Sequence, residues 1–149
     1  MRWTLTSLVT LVIGIVVLAA CEGNVFSLKV GDCYNGAVMN TEEHIEVADV
    51  GLVSCDDPHK NEVYAVFELP DSSWKGEDYV FEQASIGCGA RFEAFVGIEY
   101  ELSTLWIDII YPLEDGWKEK DHRQVTCSVT ESSGESAMKV SGSAKGSRR

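Results

Sequence analysis

Residues 5 to 20 are almost wholly apolar and carry no charge, and no other stretch of the chain is so uniform. Beyond them the apolar positions fall into short alternating runs and one helical stripe. Leu28 to Val38, containing Val30-Gly31-Asp32-Cys33-Tyr34-Asn35, predicts a first strand. Ile45 to Cys55 alternates through Ile45, Val47, Val50, Leu52 and Val53, with a phase slip at Asp49 to Gly51 that predicts a bulge or a break. Asp56-Asp57-Pro58-His59-Lys60 is a turn by composition, because proline fixes φ and aspartate bonds its own backbone. Glu62 to Leu69 then alternates clearly and predicts a strand.

After the loop Pro70 to Gly76, the period changes from two to between three and four. Phe81, Ala84, Cys88, Phe92 and Phe95 share one face of a helix predicted over Tyr79 to Val96. Asp78 is its expected N-cap and Gly97 its C-cap. Gly87 and Gly89 inside it weaken the helix by about 1 kcal/mol each relative to alanine, so a close helix-to-sheet approach is expected around Cys88.

Leu102 to Tyr111 predicts a strand with Leu105, Ile107 and Ile109 on one side and Trp106 and Ile110 on the other. Glu114-Asp115-Gly116 is expected to turn, and Gln124 to Thr130 to form the strand that carries Cys127. A hairpin through Ser132-Ser133-Gly134-Glu135 would lead to a last strand over Met138 to Ser143. Lys145 to Arg149 is expected to be a frayed, solvated tail. One helix among strands with short connections implies an α+β fold: an antiparallel sheet of five or six strands, the main helix packed on one face, and two disulfides.

The apolar amino-terminal run follows only Arg2 and ends in Leu18-Ala19-Ala20-Cys21. A positive start, an apolar stretch and small residues before a cut make a signal peptide. The cysteine after the small pair resembles the lipobox of bacterial lipoproteins, in which the thiol is lipidated and the chain is cut before it. An uncleaved membrane helix is the alternative, but residues 3 to 20 only just approach the roughly 20 apolar residues a span needs. The expected organisation is a lipoprotein signal peptide at 1–20, a lipidated cysteine and short tether at 21–27, a domain at 28–146 and a basic tail at 147–149. Dual acyl chains would anchor the domain stably to the outer face of the cell membrane.

Residues 1 to 20 contain one basic residue and no acidic one, so the net charge of −12 becomes −13 beyond them. Such an acidic chain does not suit nucleic acid, whose phosphates require Lys and Arg. Of five cysteines, Cys21 is accounted for by lipid, leaving Cys33, Cys55, Cys88 and Cys127 to pair in an oxidising compartment. Four cysteines permit three connectivities, and sequence alone does not choose among them. Cys33–Cys55 and Cys88–Cys127 are favoured, tying two early strands together and a helix to a late strand. No Cys-x-x-Cys pair occurs, and the smallest gap between these four is 22 residues. That spacing speaks against a zinc ribbon or finger, and no metal or cofactor is expected.

Asp56, Asp57, His59 and Glu62 form the densest polar cluster. An acid–base or metal site can be drawn from Asp57, His59 and Glu62, but a turn leading into a strand does not align them as a helix would. A structural role is preferred for them. His44 and His122 lie in polar stretches and are expected to be exposed. No nucleophile elbow, triad arrangement or Gly-rich phosphate loop is present. Trp74 and Trp117 lie in expected loops, where they would either anchor a partner or cap the core.

Several of these pieces resemble one family. Val30-Gly31-Asp32-Cys33-Tyr34-Asn35, Val53-Ser54-Cys55 and Pro58-His59-Lys60-Asn61-Glu62-Val63 resemble the opening of the septum formation domain family. The helix with Cys88, Phe92 and Phe95-Val96-Gly97, then Pro112, Trp117 and Asp121 to Cys127, look like its second half. The family stretch Trp-x-x-Gly-Asp-Arg here reads Trp117-Lys118-Glu119-Lys120-Asp121-His122-Arg123, without the glycine and with one extra residue. Arg123 is the counterpart of the family arginine. The resemblance implies an envelope domain of high-GC Gram-positive bacteria connected with septum assembly, and brings no established activity. The expected function is therefore a non-enzymatic, lipid-anchored extracytoplasmic domain that binds an envelope protein or a cell-wall component. The alternative is a metal-dependent or hydrolytic envelope enzyme using Asp57, His59 and Glu62.

Overall fold

The computed structural model describes residues 22–23, 25–36, 50–131 and 141–149. Its frame is a six-stranded sheet of β1 (Glu22–Gly23), β2 (Cys33–Asn35), β3 (Val50–Val53), β4 (Asn61–Glu68), β5 (Trp106–Ile110) and β6 (Gln124–Thr130). The order is β1-β3-β2-β4-β6-β5, and every paired neighbour runs antiparallel. One long helix, α1 (Glu77–Val96), packs on one face, and a short helix, α2 (Glu114–Glu119), precedes β6.

The period-two alternation sorts residues between two cores. Val80, Ala84, Cys88, Phe92, Phe95 and Val96 of α1 meet Tyr64, Ala65, Val125, Cys127 and Val129 of the sheet. Tyr34, Val50 and Val63 gather on the other face with Val25 and Leu28. A register shift in β4 between Val63 and Ala65 lets both Tyr64 and Ala65 join the helix-side core. The Tyr64 hydroxyl donates to the Cys88 carbonyl at 2.9 Å. Burial holds its phenol well above the ordinary range. Thr126, Ser128 and Thr130 are buried too, so β6 is covered on both faces.

Both disulfides form as favoured, Cys33–Cys55 with Cα atoms 5.2 Å apart and Cys88–Cys127 with 5.6 Å. The first joins β2 to the end of β3, and the second joins α1 to β6. The close helix-to-sheet approach is real at Gly87, where an added Cβ would sit 2.2 Å from Cζ of Phe67. At Gly89 nothing lies within 4 Å, so that glycine faces open space.

Several expectations are corrected. The helix begins at Glu77, two residues early, capped by Gly76 at φ 98° rather than by Asp78. Glu77 and Asp78 instead lie in the first turn, where their charge suits the helix dipole. Gly97 does cap the other end, at φ 87°, donating to Glu93 O. Phe81 leaves the apolar stripe to stack on Tyr111, and Val80 takes the buried place. The strand expected from Leu102 starts only at Trp106, after a 3-10 turn over Tyr100–Leu102. Glu114 to Gly116 opens α2 rather than a turn, and this short helix carries Trp117 into the core.

Residues 22–27, expected as a bare tether, supply strand β1 and a 3-10 turn whose Val25 is buried. The carboxy terminus is not a frayed tail. Gly146 N donates to Phe95 O at 2.8 Å and Arg148 N to Val96 O at 2.9 Å, which satisfies carbonyls that α1 leaves free at its end. Residues 141 to 143 are not strand. The rest of the expected last strand, the hairpin at 132–135, the start of the strand from Ile45, His44, Cys21 and the signal segment lie outside the described residues. No described helix is long and apolar enough to cross a membrane.

Candidate functional site

The polar cluster read from the sequence lies where β2, β4 and the carboxy-terminal segment meet. The turn before β4 is closed by Asp57 N donating to Ser54 O at 2.9 Å. Beyond it His59 is swung inward and only 1% exposed. Its Nδ1 lies 2.9 Å from the Asp57 carbonyl. A carbonyl can only accept, so Nδ1 carries the proton and Nε2 keeps the ring's lone pair in the neutral form. Asp57 thus serves through its backbone, and its side chain is exposed.

Glu62, 3% exposed, is paired in register with Cys33 across β2 and β4. Its carboxylate accepts the Ser143 hydroxyl at 2.5 Å and the Ala144 backbone N–H at 2.6 Å. The fold therefore brings His59 and Glu62 together and leaves the carboxylate of Asp57 outside. Cys33 completes the group, with donor atoms of Cys33, His59 and Glu62 within 4.8 Å of one another. A cavity of about 10 Å³, room for roughly one water, is lined by His59, Glu62, Thr130, Glu131 and Arg149 among others.

Trp74, Trp117 and Arg123 form a second assembly. Trp117 is buried at 3% exposure and meets Trp74 edge-on at 5.7 Å between ring centroids. The Arg123 guanidinium lies 4.0 Å over the Trp117 ring. It donates to the carbonyls of Asp71 at 3.1 Å, Trp117 at 2.9 Å, His122 at 2.9 Å and Ser72 at 3.4 Å. Trp117 is thus a core anchor, and Arg123 clamps the loop before α1 to α2. In this stretch, which lacks the family glycine, Asp121 adopts φ 54° in the left-handed region that aspartate tolerates. His122 is half-buried against Phe26, 4.1 Å between ring centroids, rather than exposed. Among the described residues the tryptophan that does face solvent is Trp106, at 50%.

Sequence reasoning also missed Asp108, Ser128, Ser143 and Arg149. Asp108 pairs with Ser128 across β5 and β6, and Ser128 Oγ lies 3.0 Å from the Tyr34 hydroxyl. Burial pushes the Asp108 carboxyl up to about 6, against a smaller lowering by the Ile109 backbone N–H. Its place in an alternating Trp-Ile-Asp-Ile-Ile run was the available signal.

The sequence profile described as Septum formation matches residues 30–149. The chain belongs to the septum formation family. Membership connects it with septum formation and hence with cell division. No curated protein and no solved structure matches the chain.

Proposed function

We propose that this septum formation domain is lipid-anchored, extracytoplasmic and non-enzymatic, and that it binds an envelope protein or a cell-wall component during division. The observation that carries the reading is the fate of His59 and Glu62. Their hydrogen bonds go to the Asp57 carbonyl and to Ser143 and Ala144, partners that hold the fold together. Two disulfides favour an oxidising compartment. Leu18-Ala19-Ala20-Cys21 supports the anchor.

Cross-linking in membranes followed by recovery of the tagged domain is expected to enrich an envelope protein or wall fragments. Measurable turnover of wall substrates, abolished by His59→Ala with an unchanged melting temperature, would establish the enzyme using Asp57, His59 and Glu62 instead. Cys21→Ser is expected to abolish lipidation and release the domain or leave an uncleaved precursor. An intact mature mass without lipid would remove the anchor from the proposal.

A further inference from the structure

One corner of the sheet gathers more metal-donor atoms than a turn and a crosslink require. Cys33, His59 and Glu62 are all buried, with donor atoms within 4.8 Å of one another. Cys55 is joined directly to Cys33. We propose that reduction of the Cys33–Cys55 disulfide turns this corner into a binding site for one zinc-class divalent cation, held by Cys33, Cys55, His59 and Glu62.

Two thiolates, an imidazole and a carboxylate are a donor set that zinc accepts. Bonds of about 2.0–2.3 Å in a tetrahedron place donor atoms roughly 3.3–3.8 Å apart. Three donors already fit inside a slightly larger envelope, and cutting the S–S bond frees the sulfurs to separate. The wide sequence spacing of the cysteines is no obstacle, because strand pairing, not a short ligand loop, assembles the group.

The surroundings are those a ligand shell needs. Metal-bound histidines pass their other N–H to a carbonyl or carboxylate, and ligating carboxylates are themselves hydrogen-bonded. His59 Nδ1 already meets the Asp57 carbonyl at 2.9 Å, which leaves Nε2 for a cation. Glu62 is oriented by Ser143 and Ala144. A dication with two thiolates and one carboxylate leaves one net negative charge. Arg149 lines the same cavity as His59 and Glu62; its Nη1 is paired with Glu131 at 2.6 Å, while its buried Nε has no hydrogen-bond partner.

Access favours this disulfide over the other. Cys55 is half-buried, whereas Cys88 and Cys127 are both fully buried. A dithiol reductant supplies the two electrons. Its thiolate attacks Cys55 Sγ, a mixed disulfide forms, and Cys33 leaves as thiolate. The reductant's second thiolate then displaces Cys55 and closes its own disulfide. The two protons of the dithiol go to solvent, and the dication binds both thiolates.

The test uses the mature chain before and after dithiothreitol treatment, desalted without oxygen and titrated with Co²⁺. Alkylation and mass measurement confirm that only Cys33 and Cys55 are freed. The reduced chain is expected to bind one Co²⁺ with thiolate charge-transfer absorption and a tetrahedral visible spectrum, both lost when Zn²⁺ displaces it. His59→Gln and Glu62→Gln, checked for folding in the oxidised state, should each weaken binding more than Ser143→Ala, which should weaken it about tenfold. The proposal is overturned if the oxidised chain binds Co²⁺ equally, or if the reduced chain binds none. Binding indifferent to His59→Gln and Glu62→Gln, or a reduced chain that stays unfolded with Co²⁺ present, would overturn it as well.

Discussion

Glu62 accepts the backbone N–H of Ala144 at 2.6 Å, joining β4 to a segment 82 residues further along the chain. The same carboxylate takes the Ser143 hydroxyl, so one buried acid holds the carboxy-terminal segment down. Replacing it with alanine leaves the buried Ala144 N–H without an acceptor, while the exposed Ser143 hydroxyl can turn to water, and an unpaired buried group costs about 1–3 kcal/mol. Glu62→Ala should therefore lower stability by about 1–3 kcal/mol in urea titration. Amide exchange at Gly146 and Arg148 should accelerate far more than exchange in the middle of α1. Unchanged protection there would show that the segment is held by other means.

Gly87 and Gly89 lie two residues apart in α1 and should respond to alanine with opposite signs. At Gly89 the new methyl meets open space, and helix propensity should add about 0.5–1 kcal/mol of stability. At Gly87 the methyl meets the Phe67 ring, itself covered by Arg91 at 4.3 Å. Overpacking there should outweigh the propensity gain and lower stability by about 1–2 kcal/mol. Thermal unfolding of the two variants decides it, and a stabilised Gly87→Ala would contradict the close approach.

Asp108 should make the domain less stable as pH rises through the mildly acidic range. Its carboxyl titrates near 6 when folded, against an ordinary 3.8. Below the lower value both states are protonated and the group contributes nothing. Between the two, the folded chain keeps a proton that the unfolded chain releases, so stability falls as pH rises. Above the folded value the penalty is complete, up to about 3 kcal/mol. Asp108→Asn should remove that slope and raise the melting temperature at pH 7 while leaving it nearly unchanged at pH 3.5.

The periodic parts of the chain were legible because burial enforces them. β6 matches its sequence reading from Gln124 to Thr130, since Val125, Cys127 and Val129 must face α1. Cys88 falls on the buried stripe of α1, which is why its disulfide to Cys127 could be favoured. What the sequence concealed depends on tertiary partners. Gly76 caps a helix through backbone conformation, not a side chain, and Lys145 to Arg149 look solvated until the end of α1 offers them carbonyls. At the site, His59 and Glu62 were visible as a polar cluster, but Ser143, Ala144 and Arg149 are distant in sequence and reach it only in the fold.

Arg123 should not be replaceable by lysine. Its planar guanidinium reaches carbonyls on two separate segments, at Asp71 and Ser72 and at Trp117 and His122, while stacking on the Trp117 ring. Lysine carries the same charge but presents a compact ammonium without the fork or the flat face. It can meet one group of carbonyls while leaving the other to find water. Arg123→Lys should therefore lower stability by about 2 kcal/mol, more than the loss of an exposed ion pair such as that with Asp121. In a Trp106→Phe background, which silences the exposed indole, its emission should also shift to longer wavelength as Trp74 and Trp117 become wetter. Equal stability and an unshifted spectrum would mean that charge alone matters at Arg123, and that the loop before α1 is held by its other contacts.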